Sequence, residues 1–142
     1  MKHSNEEMEA ALLVLYKNEK PIYAFLGALI GGAVGISFFV FFSAMDAIIV
    51  FMLAVPPICI GLFARFTGSV FKIKHRLPIG VIGAIVHIAG CYLLQLSPLA
   101  YILTPVAFGI AMQLSKIKLN RVQSYALYQE EIGGISVGKN NM

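Results

Sequence analysis

The sequence predicts an all-α protein, an integral membrane four-helix bundle of two transmembrane hairpins with short amphipathic cytoplasmic helices at both ends. Three observations carry that reading. Of the 142 residues, 58% are hydrophobic and 13% charged, with a mean hydropathy of +0.80. Soluble domains carry roughly 25% charged residues, and half that number cannot cover a water-facing surface. The charges also leave long gaps. No Asp, Glu, Lys or Arg occupies the 25 positions between Lys20 and Asp46, the 18 between Asp46 and Arg65, or the 39 from Leu77 through Ser115. Third, the 11 Lys and Arg fall in three groups: Lys2, Lys17 and Lys20; Arg65, Lys72, Lys74 and Arg76; and Lys116, Lys118, Arg121 and Lys139. By the positive-inside rule those three regions, and with them both termini, are expected to be cytoplasmic. The net charge of +4 is then a topology signal, and nucleic acid is not a partner.

The chain is read as one membrane domain, 1–142. In residues 1–20, Ser4 and Glu7 form an S-x-x-E capping box, and Met8, Leu12, Leu15 and Tyr16 recur at helical spacing. This predicts a short amphipathic helix that lies along the lipid interface or docks on the bundle. Its glutamates, Glu6, Glu7, Glu9 and Glu19, make it a poor secretory leader, so the first span is expected to remain as an anchor.

Spans are expected at 22–43, 47–65, 78–96 and 98–115, since a bilayer core of roughly 30 Å needs about 20 apolar residues. The 39-residue run is too long for one crossing and breaks at Gln95-Leu96-Ser97-Pro98, where Ser97 suits an N-cap and Pro98 the first helical position. The first hairpin turns at 43–46, with Asp46 capping the second span. Residues 66–77 are expected to form a basic loop. The segment 116–142 is a cytoplasmic tail that continues the last helix to about Tyr128 and loosens at Gly133-Gly134.

Gly27, Gly31 and Gly35 on the first span, and Gly80, Gly83 and Ala84 on the third, are expected helix-packing faces. In lipid, helices associate through close backbone approach. The partner of these faces is left open between the chain's own helices, a second copy in a homodimer, and another membrane protein. The two hairpins also resemble each other. Pro21-Ile22 followed by Gly27-Ala28 parallels Pro78-Ile79 followed by Gly83-Ala84, and Pro57-Ile58-Cys59-Ile60-Gly61-Leu62 parallels Pro105-Val106-Ala107-Phe108-Gly109-Ile110. A parallel repeat would place proline breaks at matching depths, at Pro56, Pro57 and Pro105, which is where transporters build sites from freed carbonyls.

His87 is the one intramembrane histidine, four residues before Cys91 and on the same helical face. An ionisable group there is a functional candidate, as proton relay or ligand. Two donors do not complete a metal site. By helical rise Cys59 lies about 8 Å, and Cys91 about 20 Å, from the cytoplasmic ends of their spans, so the two do not pair. A haem would want a second histidine, and His3 and His75 are outside the bilayer. No cofactor and no metal is expected, and no catalytic triad, H-E-x-x-H or phosphate loop is present, so enzyme chemistry is not expected.

The stretch Ala64-Arg65-Phe66-Thr67-Gly68, then Ile79-Gly80-Val81-Ile82-Gly83-Ala84, then Gly90-Cys91, resembles a group of small bacterial four-span inner-membrane proteins of uncharacterised function. The resemblance covers the middle third of the chain, from which Pro78 and Pro56-Pro57 depart. It implies a location in the bacterial inner membrane and no activity. The function expected is therefore a non-catalytic membrane assembly or partner-binding protein. The alternative is an oligomeric small-solute or ion transporter or channel with its site near His87, Pro57 and Pro105.

Overall fold

The computed structural model describes residues 4–43 and 49–134, with side chains described outside 43 and 49–53. Regular structure among the described residues is helical: α1 (Asn5–Asn18), α2 (Pro21–Ser43), α3 (Ile49–Gly68), α4 (Ile73–Leu93), α5 (Pro98–Tyr101), α6 (Thr104–Leu114) and α7 (Arg121–Glu131). The chain divides into two compact units: Lys20–Ile117, and a smaller one that pairs the N-terminal helix with the C-terminal one.

In the larger unit, α3 touches α2, α4 and α6. Its contact with α2 is the closest of these because the glycine line of α2 faces it. A Cβ at Gly31 would stand 2.7 Å from the Cys59 carbonyl oxygen, and one at Gly35 2.6 Å from the Pro56 Cα, while Gly27 faces Phe63 and Thr67. Backbones this close admit no side chain. On α4, Gly80 lies under the Phe108 ring, Gly83 against Ala111 and Gly90 under the Phe39 ring. Ala24, Ala28, Ile60, Ala64, Ile79 and Ala111 form the buried core between these helices. Both expected packing faces are thus filled by α3 and α6 of the same chain, with Ala84 half-buried at the edge of the second.

With Pro57 aligned to Pro105, Phe63, which Gly27 faces, corresponds to Ala111, which Gly83 faces, but Thr67, the residue nearest Gly27, corresponds to Ser115, which is not among the nearest neighbours of Gly83.

Several expected boundaries shift. Two helices are long and apolar enough to cross a membrane, Pro21–Phe42 and Ile73–Leu93; Ala54–Gly68 and Pro98–Leu114 are shorter apolar stretches among the described residues. The predicted last span is not one helix, because Ile102 and Leu103 separate α5 from α6. The basic loop expected at 66–77 shrinks to four residues, since α3 runs to Gly68 and α4 starts at Ile73. Ser69, at φ 48°, takes the left-handed turn that ends α3. After Leu93, Gln95 at φ 49° does the same for α4: its N–H donates to the Tyr92 carbonyl at 3.1 Å, and the Leu96 N–H to the Cys91 carbonyl at 3.0 Å. Ser97 stands at the N-cap of α5 with Pro98 behind it, although its hydroxyl makes no capping bond. Residues 44–46 of the expected turn at 43–46, with Asp46, and Lys2, His3 and Lys139 lie outside the described residues.

In the smaller unit, α1 docks on α7. Met8, Leu12 and Ala126 are buried together, with Tyr16 and Leu127 packed against them. The expected continuation of the last span is instead this separate helix. Asn120 starts it through a capping box, its own N–H donating to the Gln123 side-chain oxygen at 2.9 Å. Gly133-Gly134 is a helix stop and not loose chain: Gly133 has φ 77°, and the Gly134 N–H donates to the Gln129 carbonyl at 2.8 Å.

Candidate functional site

His87 sits on the buried face of α4, in register with Gly80, Gly83, Gly90 and Cys91, and is 3% exposed. The opposite face, Val81, Ile85, Ile88 and Tyr92, is 44–76% exposed. That division follows from spacing, since 3.6 residues per turn puts i, i+3, i+4 and i+7 on one side. The Nε2 atom lies 3.2 Å from the Ala100 carbonyl oxygen on α5 and 3.6 Å from the Cys91 Sγ. A carbonyl can only accept, so Nε2 is the donor of the contact with Ala100. His87 thereby ties α4 to α5 across the turn that joins them.

The structure brings His87 and Cys91 together and adds no third ligand: no group of three His, Cys, Asp or Glu converges among the described residues. Cys59 and Cys91 are both free thiols, the first partly exposed and the second buried. His75 falls in the first turn of α4.

At Pro105 the acceptor that the proline frees is already taken. Pro105 cannot donate to the Tyr101 carbonyl four residues back, and the Thr104 hydroxyl donates to that oxygen instead, at 2.7 Å. Pro56 and Pro57 lie inside α3, which continues through both. Pro57 is fully buried, and Pro56 is the surface on which Gly35 closes. These residues shape a helix contact.

Sequence reasoning missed the strongest polar contact in this unit. Arg76, counted there as a loop cation, is only 5% exposed. Its Nε and Nη2 donate to the Met112 carbonyl at 3.0 and 2.6 Å, and Nη2 also donates to the Gln113 side-chain oxygen at 3.0 Å. The Ser115 hydroxyl donates to the same Met112 carbonyl at 2.8 Å. The last carbonyls of α6 have no intrahelical donors, and a cation there also meets the negative end of the helix dipole. Nothing in the local sequence signals the contact, which joins residues 36 positions apart. Likewise the Tyr16 hydroxyl donates to Glu130 at 2.5 Å across 114 positions, clasping α1 to α7. Burial, followed by that carboxylate, pushes the Tyr16 hydroxyl pKa above its ordinary value.

What this arrangement offers chemically is a set of helix clasps around a core of small residues, with one buried imidazole beside a thiol. No family model, no curated protein and no solved structure matches the chain, so the likeness to small bacterial membrane proteins rests on its own residues.

Proposed function

We propose that the chain is a multi-pass protein of the bacterial inner membrane, with both termini cytoplasmic, that acts without catalysis as an assembly or partner-binding protein. One observation carries the reading. The helices of the larger unit turn glycine, alanine, His87 and Arg76 inward, and turn Ile22, Leu29, Ile30, Phe41, Ile85 and Tyr92 outward at 48–76% exposure. A water-soluble domain does the reverse with its large side chains, whereas lipid solvates them. Because the glycine faces are occupied within the chain, partners would be met on these outer surfaces or on the α1–α7 pair.

Carbonate extraction of membranes, combined with reporter fusions, tests this. Fusions after Lys20, Lys72 and Lys118 are expected to report cytoplasm, and one after Ser97 the opposite side. Release of the chain by carbonate, or a cytoplasmic signal after Ser97, would overturn it.

The transport alternative is favoured by a different observation, the interruption between α5 and α6 next to the carbonyl that His87 holds. It expects solute flux in proteoliposomes that His87→Ala abolishes while the chain stays folded. The absence of a carboxylate in the first span argues against proton-coupled cation export.

A further inference from the structure

α7 carries a face that its helix partner leaves uncovered. Ala126 faces α1 and is fully buried. On the opposite side, Arg121, Tyr125, Tyr128 and Ile132 follow at i, i+4, i+7 and i+11, with the two tyrosines and the isoleucine 44–59% exposed. At 100° per residue these four fall within one narrow stripe along the helix and its cap.

The charges around the stripe are unusual. A helix is stabilised by acids in its first turn and bases in its last, and α1 obeys this with Glu6, Glu7 and Lys17. In α7 the order is inverted: Arg121 opens the helix, and Glu130 and Glu131 close it. The dipole therefore does not account for this arrangement. Lys116, Lys118 and Arg121 are all exposed, and no acid lies between them or before Glu130. Glu130 is turned to the other side and held by Tyr16, and Glu131 stands about a quarter turn away from the stripe. The α1 surface, with Glu6, Glu7 and Glu9 against Lys17, has the opposite sign.

We infer that the Arg121–Tyr125–Tyr128–Ile132 face of α7 lies on an anionic lipid surface. Tyrosine suits the headgroup zone because its ring is apolar and its hydroxyl wet. Ile132 supplies an apolar anchor, and Lys118 and Arg121 meet lipid phosphates. The charge sign selects this face over α1 and selects lipid as the occupant. The inference rests on the membrane reading above.

The chain contains no tryptophan, so single-Trp variants report one position each. Tyr128→Trp, Ile132→Trp, Glu131→Trp and Ile30→Trp would be placed in the full chain. Each would be reconstituted in vesicles of phosphatidylcholine with phosphatidylglycerol, with and without brominated acyl chains. Tyr128→Trp and Ile132→Trp are expected to emit to the blue of solvent-exposed tryptophan and to be quenched by the brominated lipid, Glu131→Trp much less so. Adding Lys118→Glu and Arg121→Glu, or omitting phosphatidylglycerol, is expected to weaken that quenching about twofold or more. If Ile30→Trp is quenched while Tyr128→Trp and Ile132→Trp emit as in water, the inference fails and the membrane reading stands. A face covered by another protein in the cell would give that same result in vesicles that hold no other protein. If Ile30→Trp is unquenched as well, the membrane reading fails with it.

Discussion

The guanidinium of Arg76 is buried against the end of α6, with Nη2 2.6 Å from the Met112 carbonyl oxygen. Charged hydrogen bonds contribute more than neutral ones, roughly 1.5–3 kcal/mol each, and removing the donor also leaves the carbonyl unsatisfied. Arg76→Lys keeps the charge but loses the fork that reaches Met112 and Gln113 together. Arg76→Met is therefore expected to destabilise the larger unit by about 3 kcal/mol and Arg76→Lys by about half as much. Unfolding midpoints in micelles check this, and equal midpoints for Arg76→Met and wild type would remove the clasp from the account.

Two glycines should answer oppositely to the same substitution. Gly31→Ala drives a methyl to 2.7 Å from the Cys59 carbonyl, a backbone atom that cannot yield. The expected loss is about 1–3 kcal/mol, as for other overpacked sites. Gly109 has nothing within 4 Å of its Cβ position. Gly109→Ala is expected to stabilise α6 by up to about 1 kcal/mol through helix propensity. Measuring both in the same detergent separates close packing from a general intolerance of change.

Thr104 and Pro105 form a coupled pair, because the hydroxyl of one supplies the donor that the other lacks. Thr104→Val leaves the Tyr101 carbonyl without that donor and should cost about 1 kcal/mol. In a Pro105→Ala background the backbone regains an N–H, and the same Thr104→Val change should cost less than half as much. A double-mutant cycle reads the difference; an additive cycle would show that the threonine serves another purpose.

The Tyr16–Glu130 clasp predicts a pH dependence with a definite sign. The folded-state pKa of Tyr16 is raised, first by burial and then by the carboxylate. Its contribution to stability is then fully present below the unfolded pKa of about 10 and is lost as pH rises through the folded value. Hydrogen exchange of α7 amides is expected to accelerate above about pH 10 beyond the intrinsic base-catalysed rate. In Tyr16→Phe that extra acceleration should vanish, and at neutral pH exchange should already be faster, by the loss of one hydrogen bond. Identical profiles for the two proteins would argue against the clasp.

Much of the helical architecture was legible because it follows from local rules. Met8, Leu12 and Leu15 are buried at their helical spacing while Leu13 and Val14 are exposed, as the periodicity of α1 requires. The α4 face of Gly80, Gly83, His87 and Cys91 is buried for the same reason. The site was less legible. His87 was visible as a lone imidazole in an apolar run, but its tie to Ala100 depends on how α5 folds back beside α4. Composition and charge placement cannot separate a loop cation from a buried one, and so Arg76 was counted with Lys72 and Lys74. The start of α4 was missed because Pro78, read as a first helical position, lies inside the helix, and the break between α5 and α6 was missed because Pro105 was read as a kink within one span.

The sequence by itself determined that the chain is helical, that its charges leave long apolar runs, and where its glycines line up. Hydropathy and helical period are properties of neighbouring residues, and both can be counted along the chain. Only the tertiary structure decided that those glycines face α3 and α6 of the same chain, that Arg76 closes α6, and that α1 and α7 form a unit of their own. Each of these depends on groups distant in sequence meeting at hydrogen-bond or van der Waals range, and no local pattern encodes which distant group that will be.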